Sequence, residues 1–204
     1  MNFVYVQYNQ PINGYDVSVL WTPVEGGSDI LVGNAIMNFR NEEDNFNVCH
    51  SHFSLSVLFF FDSLDDYDSA YKERIKINSL VNGETISLDY VLPEISKKDS
   101  LVHLYSEVPF FFTDVNFDGE DELILTKHKQ GQRRRDAFQV HSLSAWGVDD
   151  LYDIGRDKPF NNFDDGTVID KKNKQIIIDY SGSAVDYVIE VYKLNKEGEF
   201  YLSK

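Results

Sequence analysis

Asp114 to Glu122 reads DVNFDGEDE, five acidic side chains in nine residues, set between the apolar runs FFF at Phe110 to Phe112 and LIL at Leu123 to Leu125. Runs that short and that apolar predict two buried strands, so the acidic stretch is the connection between them. With Asp114 as the first position, oxygen-bearing side chains fall at Asp114, Asn116 and Asp118, and Gly119 follows where a sharp turn is needed. Glu120 comes next with a backbone carbonyl to offer, and Glu122 stands where a last ligand closes the shell. A backbone curled round a hard cation uses this spacing, and Ca2+ suits it better than Mg2+ because it takes six to eight oxygens in tolerant geometry. The helical calcium hand needs Glu at its twelfth position, where this chain has Leu125, so a strand-loop-strand arrangement is expected. The competing reading is a metal-free acidic loop, which must hold several carboxylates together against their repulsion.

Outward from the loop the chain reads as strands and turns. PING at Pro11 to Gly14 marks a turn between an opening strand and YDVSVLW. In HFSLSVLFFFD, Phe53, Leu55, Val57, Phe59 and Phe61 share one face of an extended chain. Asn82-Gly83, between RIKINSL and ETISLDY, predicts a two-residue hairpin turn, because both residues tolerate positive φ. LVHLYSEVPFFFTD is expected as one strand leading into the loop, ELILTKHK and DAFQVHSLSAW as two after it, and the text from Gly147 to Asp165 as irregular. GTVID, KQIIIDYS, DYVIEVYKL and EFYLSK complete a series of short strands with tight turns. The fold class is therefore all-β, with antiparallel sheets in an incomplete or small β-propeller-like arrangement and a sandwich as runner-up. The chain reads as a single all-β domain over 1–204. If it divides, PEISKKDS separates an N-terminal β region, 1–93, from a calcium-loop β region, 100–204.

Composition narrows the function classes. The chain has 34 acidic and 19 basic residues in 204, a formal charge of -15, which repels nucleic-acid phosphate. The basic stretch KHKQGQRRR, Lys127 to Arg135, reads as local compensation near the acidic loop. One cysteine, Cys49, excludes an internal disulfide. No apolar run is long enough for a transmembrane helix, and Met1 onward lacks the pattern of a secretion signal. A periplasmic or cell-surface location is expected if a leader was removed, with the cytoplasm as the alternative.

DVNFDGEDELIL resembles the metal loop of FG-GAP-type and VCBS-type β-propeller repeats. From about residue 100 to the C-terminus, including FDDGTVIDKKNKQIIIDYSGSAVDYVIEVYKLNKEGEF, the chain resembles small bacterial partial-propeller proteins related to periplasmic lysozyme inhibitors and immunity proteins. The resemblance implies Asp114, Asn116, Asp118, Glu120 through its carbonyl, and Glu122 as Ca2+ ligands. The family prefers Asp at the last of these, so Glu122 departs from its pattern. It also implies a protruding partner-binding loop at Ser181, Gly182 and Ser183, a segment that by its own residues reads first as an ordinary two-strand turn.

Other constellations carry less. Cys49, His50 and His52 offer metal-binding atoms but lack two further ligands nearby. The acidic groups Asp65, Asp66 and Asp68, and Asp149, Asp150 and Asp153, read as hydrated loop surface rather than as a glycosidase pair. An enzyme is not expected. The function expected is a calcium-stabilised protein-binding module, in its most concrete form an inhibitor or immunity protein acting on a basic, lysozyme-like cell-wall hydrolase. The alternative is a cell-surface carbohydrate-binding or adhesion accessory, whose stacking platform would use tyrosines and the tryptophans Trp21 and Trp146.

Overall fold

The computed structural model describes residues 3–25, 30–56, 82–90, 100–104, 108–127, 137–144, 147–150, 159–181 and 187–204. The chain divides into two compact units, Met1–Val91 and Leu92–Lys204.

In the first unit, β1 (Phe3–Tyr8), β2 (Asp16–Glu25), β3 (Ile30–Arg40), β4 (Asn45–Ser56) and β5 (Asn82–Leu88) form one sheet in the order β4-β3-β2-β1-β5. Alternation decides its faces. β1 reads exposed-buried throughout, putting Val4, Val6 and Tyr8 in the core beside Val19, Trp21, Met37 and Phe39. The PING turn forms as expected: Ile12 and Tyr15 exchange backbone hydrogen bonds of 2.8 and 3.0 Å across Asn13 (φ 50°) and Gly14 (φ 82°). Two successive positive φ values match the right-handed twist of the flanking strands.

Asn82-Gly83 does not make the expected hairpin turn. Both residues open β5, which pairs parallel with β1, so the sheet is mixed. Between Phe3 and Tyr5 the register moves two residues while Asn82 to Thr85 moves three, and Gly83, at φ 82°, lies in that extra span. The glycine that was expected to reverse the chain instead forms a bulge. Of the long alternating strand expected from His52 to Phe61, β4 supplies Phe53 and Leu55 to the core, and Val57 to Phe61 lie outside the described residues.

The second unit has two sheets. One runs β10-β9-β8-β7, with β7 (Phe110–Thr113), β8 (Glu122–Lys127), β9 (Ala137–Ser144) and β10 (Gly147–Asp150). The other runs β14-β13-β12-β11-β6, with β6 (Leu101–His103), β11 (Thr167–Asp170), β12 (Gln175–Ser181), β13 (Tyr187–Leu194) and β14 (Phe200–Leu202). The single strand expected from Leu101 to Thr113 is thus two strands in two sheets, and the stretch expected as irregular contains β10 and a 3₁₀ turn, Pro159–Asn162. Phe111, Ile124 and Val140 of the first sheet meet Ile169, Ile176 and Ile178 of the second in one core.

The fold is all-β with several antiparallel pairings, and among the described residues none of the three sheets closes into a barrel or a propeller and neither unit forms a clear sandwich. The propeller expectation is corrected on topology. A parallel strand completes the first sheet, and β6 joins the third at the far edge from β14 instead of entering as the next strand of a meander. Among the described residues no helix is long and apolar enough to cross a membrane.

Candidate metal centre

The loop between β7 and β8 is anchored by its odd residues. Val115 is fully buried and Phe117 nearly so, the latter packed 5.8 Å from the ring of Phe200, while Asp114, Asn116 and Asp118 between them stay at least partly exposed. An apolar-polar alternation within the loop therefore fastens it to the core while turning the oxygens to its other side. Phe117 at φ 64° and Gly119 at φ 96° supply the left-handed steps that let the backbone curl.

Backbone N–H groups of the curl donate to those oxygens. Phe117 and Gly119 donate to the two carboxylate oxygens of Asp114 at 2.6 and 3.1 Å, Asp118 donates to Asn116 Oδ1 at 2.9 Å, and Glu120 donates to Asp118 Oδ1 at 2.8 Å. Glu122 comes in from the first residue of β8, accepting from Val115 N–H at 2.9 Å and from Asn116 Nδ2 at 2.7 Å. Asn116 Nδ2 also donates to Asp118 Oδ2 at 2.9 Å, so one amide bridges two carboxylates. Side-chain hydrogen bonds thus join Asn116, Asp118 and Glu122, while the Asp114 carboxylate is bound to the backbone N–H groups of Phe117 and Gly119 in the same curl. The Glu120 side chain is exposed and takes no part in these bonds.

Glu122 is the electrostatically unusual member. It is 2% exposed. Its carboxyl is held up at about 7, chiefly by burial and further by the charges of Asp118 and Asp114, against the pull of the N–H donors of Val115 and Asn116. Opposite it in register stands Thr113, whose buried hydroxyl has no hydrogen-bond partner among the described residues. Thr113 carries no local signal in the sequence, because only the strand register places it beside Glu122.

The donor set is all oxygen apart from the bridging amide nitrogen, and it suits a hard divalent cation of calcium's kind. Among the described residues, however, no group of three or more His, Cys, Asp or Glu side chains gathers closely enough to hold a metal. The Asn116 amide donates to two of the carboxylates that an ion would otherwise satisfy, Asp118 and Glu122.

Of the expected partner-binding residues, Ser181 ends β12 opposite Tyr187, and Gly182 and Ser183 lie outside the described residues. His50 points into the first unit's core at 1% exposure and accepts the His52 N–H at 3.1 Å, whereas Cys49 is a free thiol on the outward face. Trp21 is fully buried, edge-on to Phe53 at 5.5 Å, so it forms no stacking platform. Trp146, the acidic groups at Asp65 to Asp68 and Asp153, and the basic stretch after Lys127 lie outside the described residues.

No protein-family model matches the chain, and no curated protein matches it. Among solved structures, one described as "Structure of a Xanthomonas Type IV Secretion System related protein" is similar over 98% of this chain and 93% of that one, at 14% identity and a TM-score of 0.45. A likeness of that size carries no functional statement. The resemblance to FG-GAP and VCBS propeller repeats and to lysozyme inhibitors is overturned by these findings and by the open sheets. A nine-residue turn is portable: any hairpin that tolerates the curl can carry it, whatever the fold around it.

Proposed function

We propose that the chain is a calcium-stabilised binding module rather than an enzyme, with Asp114, Asn116, Asp118, the Glu120 carbonyl and Glu122 as the ligands of one Ca2+. The observation that carries this reading is geometric: the Glu122 carboxylate is buried at the start of β8 and linked through the Asn116 amide to Asp118, on a loop curled by positive φ at Phe117 and Gly119. A divalent ion supplies the missing positive charge and ties β7 to β8. The chain's own residues do the remainder: Val115 and Phe117 fix the loop to the core, and the N–H donors of Phe117, Asp118, Gly119 and Glu120 orient the side chains. The net charge of -15 favours a cationic protein as partner by speeding its approach.

The experiment is thermal unfolding with and without calcium. At a hundredfold excess over the dissociation constant an ion adds about 2.7 kcal/mol, a rise of several degrees in Tm for a unit of this size. Asp118→Ala is expected to lose most of that rise. A rise of equal size in Asp118→Ala places any ion elsewhere.

A further inference from the structure

The first unit carries a surface of different chemistry, on the face of its sheet turned away from the core. Tyr5 pairs with Leu20, Leu20 with Ile36, and Ile36 with Cys49, so four outward side chains form a row across four strands. Tyr5 is 47% exposed, Leu20 36% and Ile36 46%, and Phe3 stands edge-on to Tyr5 at 5.5 Å. On one side of this row runs a second, Gln7, Ser18, Asn38 and Asn47, again in register. Its amides are held in place: Asn38 Nδ2 donates to Asn45 Oδ1 at 2.7 Å and to Asn47 Oδ1 at 3.0 Å. On the other side Thr22 pairs with Asn34, and a shallow depression of about 400 Å3 opens there between Leu20, Ile36 and Asn34.

Charge sets this face apart. Across the outward positions of β1 to β4 among the described residues, the charged side chains are Asp16 and Arg40, which face each other in register at one end. In a chain with 34 acidic and 19 basic residues, an apolar and aromatic row flanked by neutral amides and hydroxyls calls for a neutral ligand with one apolar face and a hydroxyl rim. A pyranose ring has that form. A linear oligosaccharide laid across strands roughly 5 Å apart meets the Tyr5 ring and the Leu20 and Ile36 side chains beneath successive rings, the Cys49 thiol at the end of the row, and amides beside it. A cationic protein gains little here, because the described outward positions of β1 to β4 offer one carboxylate, Asp16. A second copy of the chain brings another charge of -15 against the first.

We propose that the outward face of β1 to β4 binds a neutral oligosaccharide, with Tyr5 as the stacking ring, the Asn34 and Asn47 amides as hydrogen-bond partners and the Asn38 carbonyl oxygen as an acceptor. This does not rest on the calcium reading, which concerns the other unit. The test is isothermal titration with cellohexaose and with chitohexaose, each in calcium and in EDTA, with oligogalacturonate as an acidic control. At least one neutral hexasaccharide is expected to bind equally in both buffers, and the acidic one not at all. Tyr5→Ala is expected to weaken binding tenfold or more, Tyr5→Phe to retain it, and Ile36→Asp to abolish it. Tyr201→Ala, an exposed aromatic of the second unit, should change nothing. The proposal is overturned if neither hexasaccharide binds. It is equally overturned if Tyr5→Ala and Ile36→Asp, folded by circular dichroism, bind as the parent does, or if sedimentation shows a dimer that Ile36→Asp dissociates. Binding that persists in EDTA stands whether or not the loop takes calcium.

Discussion

Glu122 is the residue on which the loop's chemistry turns, and its raised carboxyl has a consequence for stability. Below about pH 4.5 the group is protonated in the folded and unfolded chain alike, so its contribution is fully present. As pH rises toward about 7 the unfolded chain releases the proton while the folded one keeps it, and stability falls. The shift corresponds to roughly 3 kcal/mol. Urea denaturation in chelator should therefore show stability decreasing from pH 4.5 to 7, with the decrease removed in Glu122→Gln. Calcium should flatten it in the parent chain by holding the carboxylate ionised. A parent chain whose stability in chelator is level across that window would mean that Glu122 is not held neutral. The spacing of the side-chain oxygens of Asp114, Asn116 and Asp118 and the turn at Gly119 were legible in the sequence, since all are local. The burial of Glu122 and the Thr113 hydroxyl opposite it were not, because they depend on how β7 and β8 pair and what covers them.

At the scale of elements, two Asn-Gly pairs met different fates. Asn13-Gly14 lies between strands that pair with each other, and the turn forms. Asn82-Gly83 has the same local chemistry, but β5 finds its partner in β1, eighty residues away in the chain, and the glycine serves the bulge there. Positive φ is what the residues permit; its use is set by long-range pairing. Gly33 is a third case, decided by space. A Cβ there would overlap the Thr22 carbonyl oxygen and lie 2.7 Å from the carbonyl carbon, at the site where the β3–β4 register shifts. Opposite it Pro23 stands in β2 beyond the last residue paired to β1, so its missing N–H costs no ladder bond on that side. Because the clash is with backbone, Gly33→Ala should destabilise the first unit by about 1–3 kcal/mol, measured by chemical denaturation. A loss under about 0.5 kcal/mol would show that β2 moves aside freely.

For the whole molecule, the abundance of aromatic residues and the succession of short alternating strands made the all-β class legible. The arrangement of the sheets was not. Strand order and the parallel β1–β5 pair are set by contacts far apart in sequence, and a short calcium-type loop says nothing about them. The propeller expectation extended a local pattern to a global topology, and the open sheets correct it. What the loop does carry is a claim about the second unit, Leu92–Lys204, alone. Calorimetric titration of calcium into chelator-treated protein tests that claim most directly. One ion per chain is expected, with a dissociation constant of about a millimolar or tighter, and the heat is expected to be lost in Asp118→Ala. A parent protein that gives no heat and no change in melting temperature at millimolar calcium contradicts it.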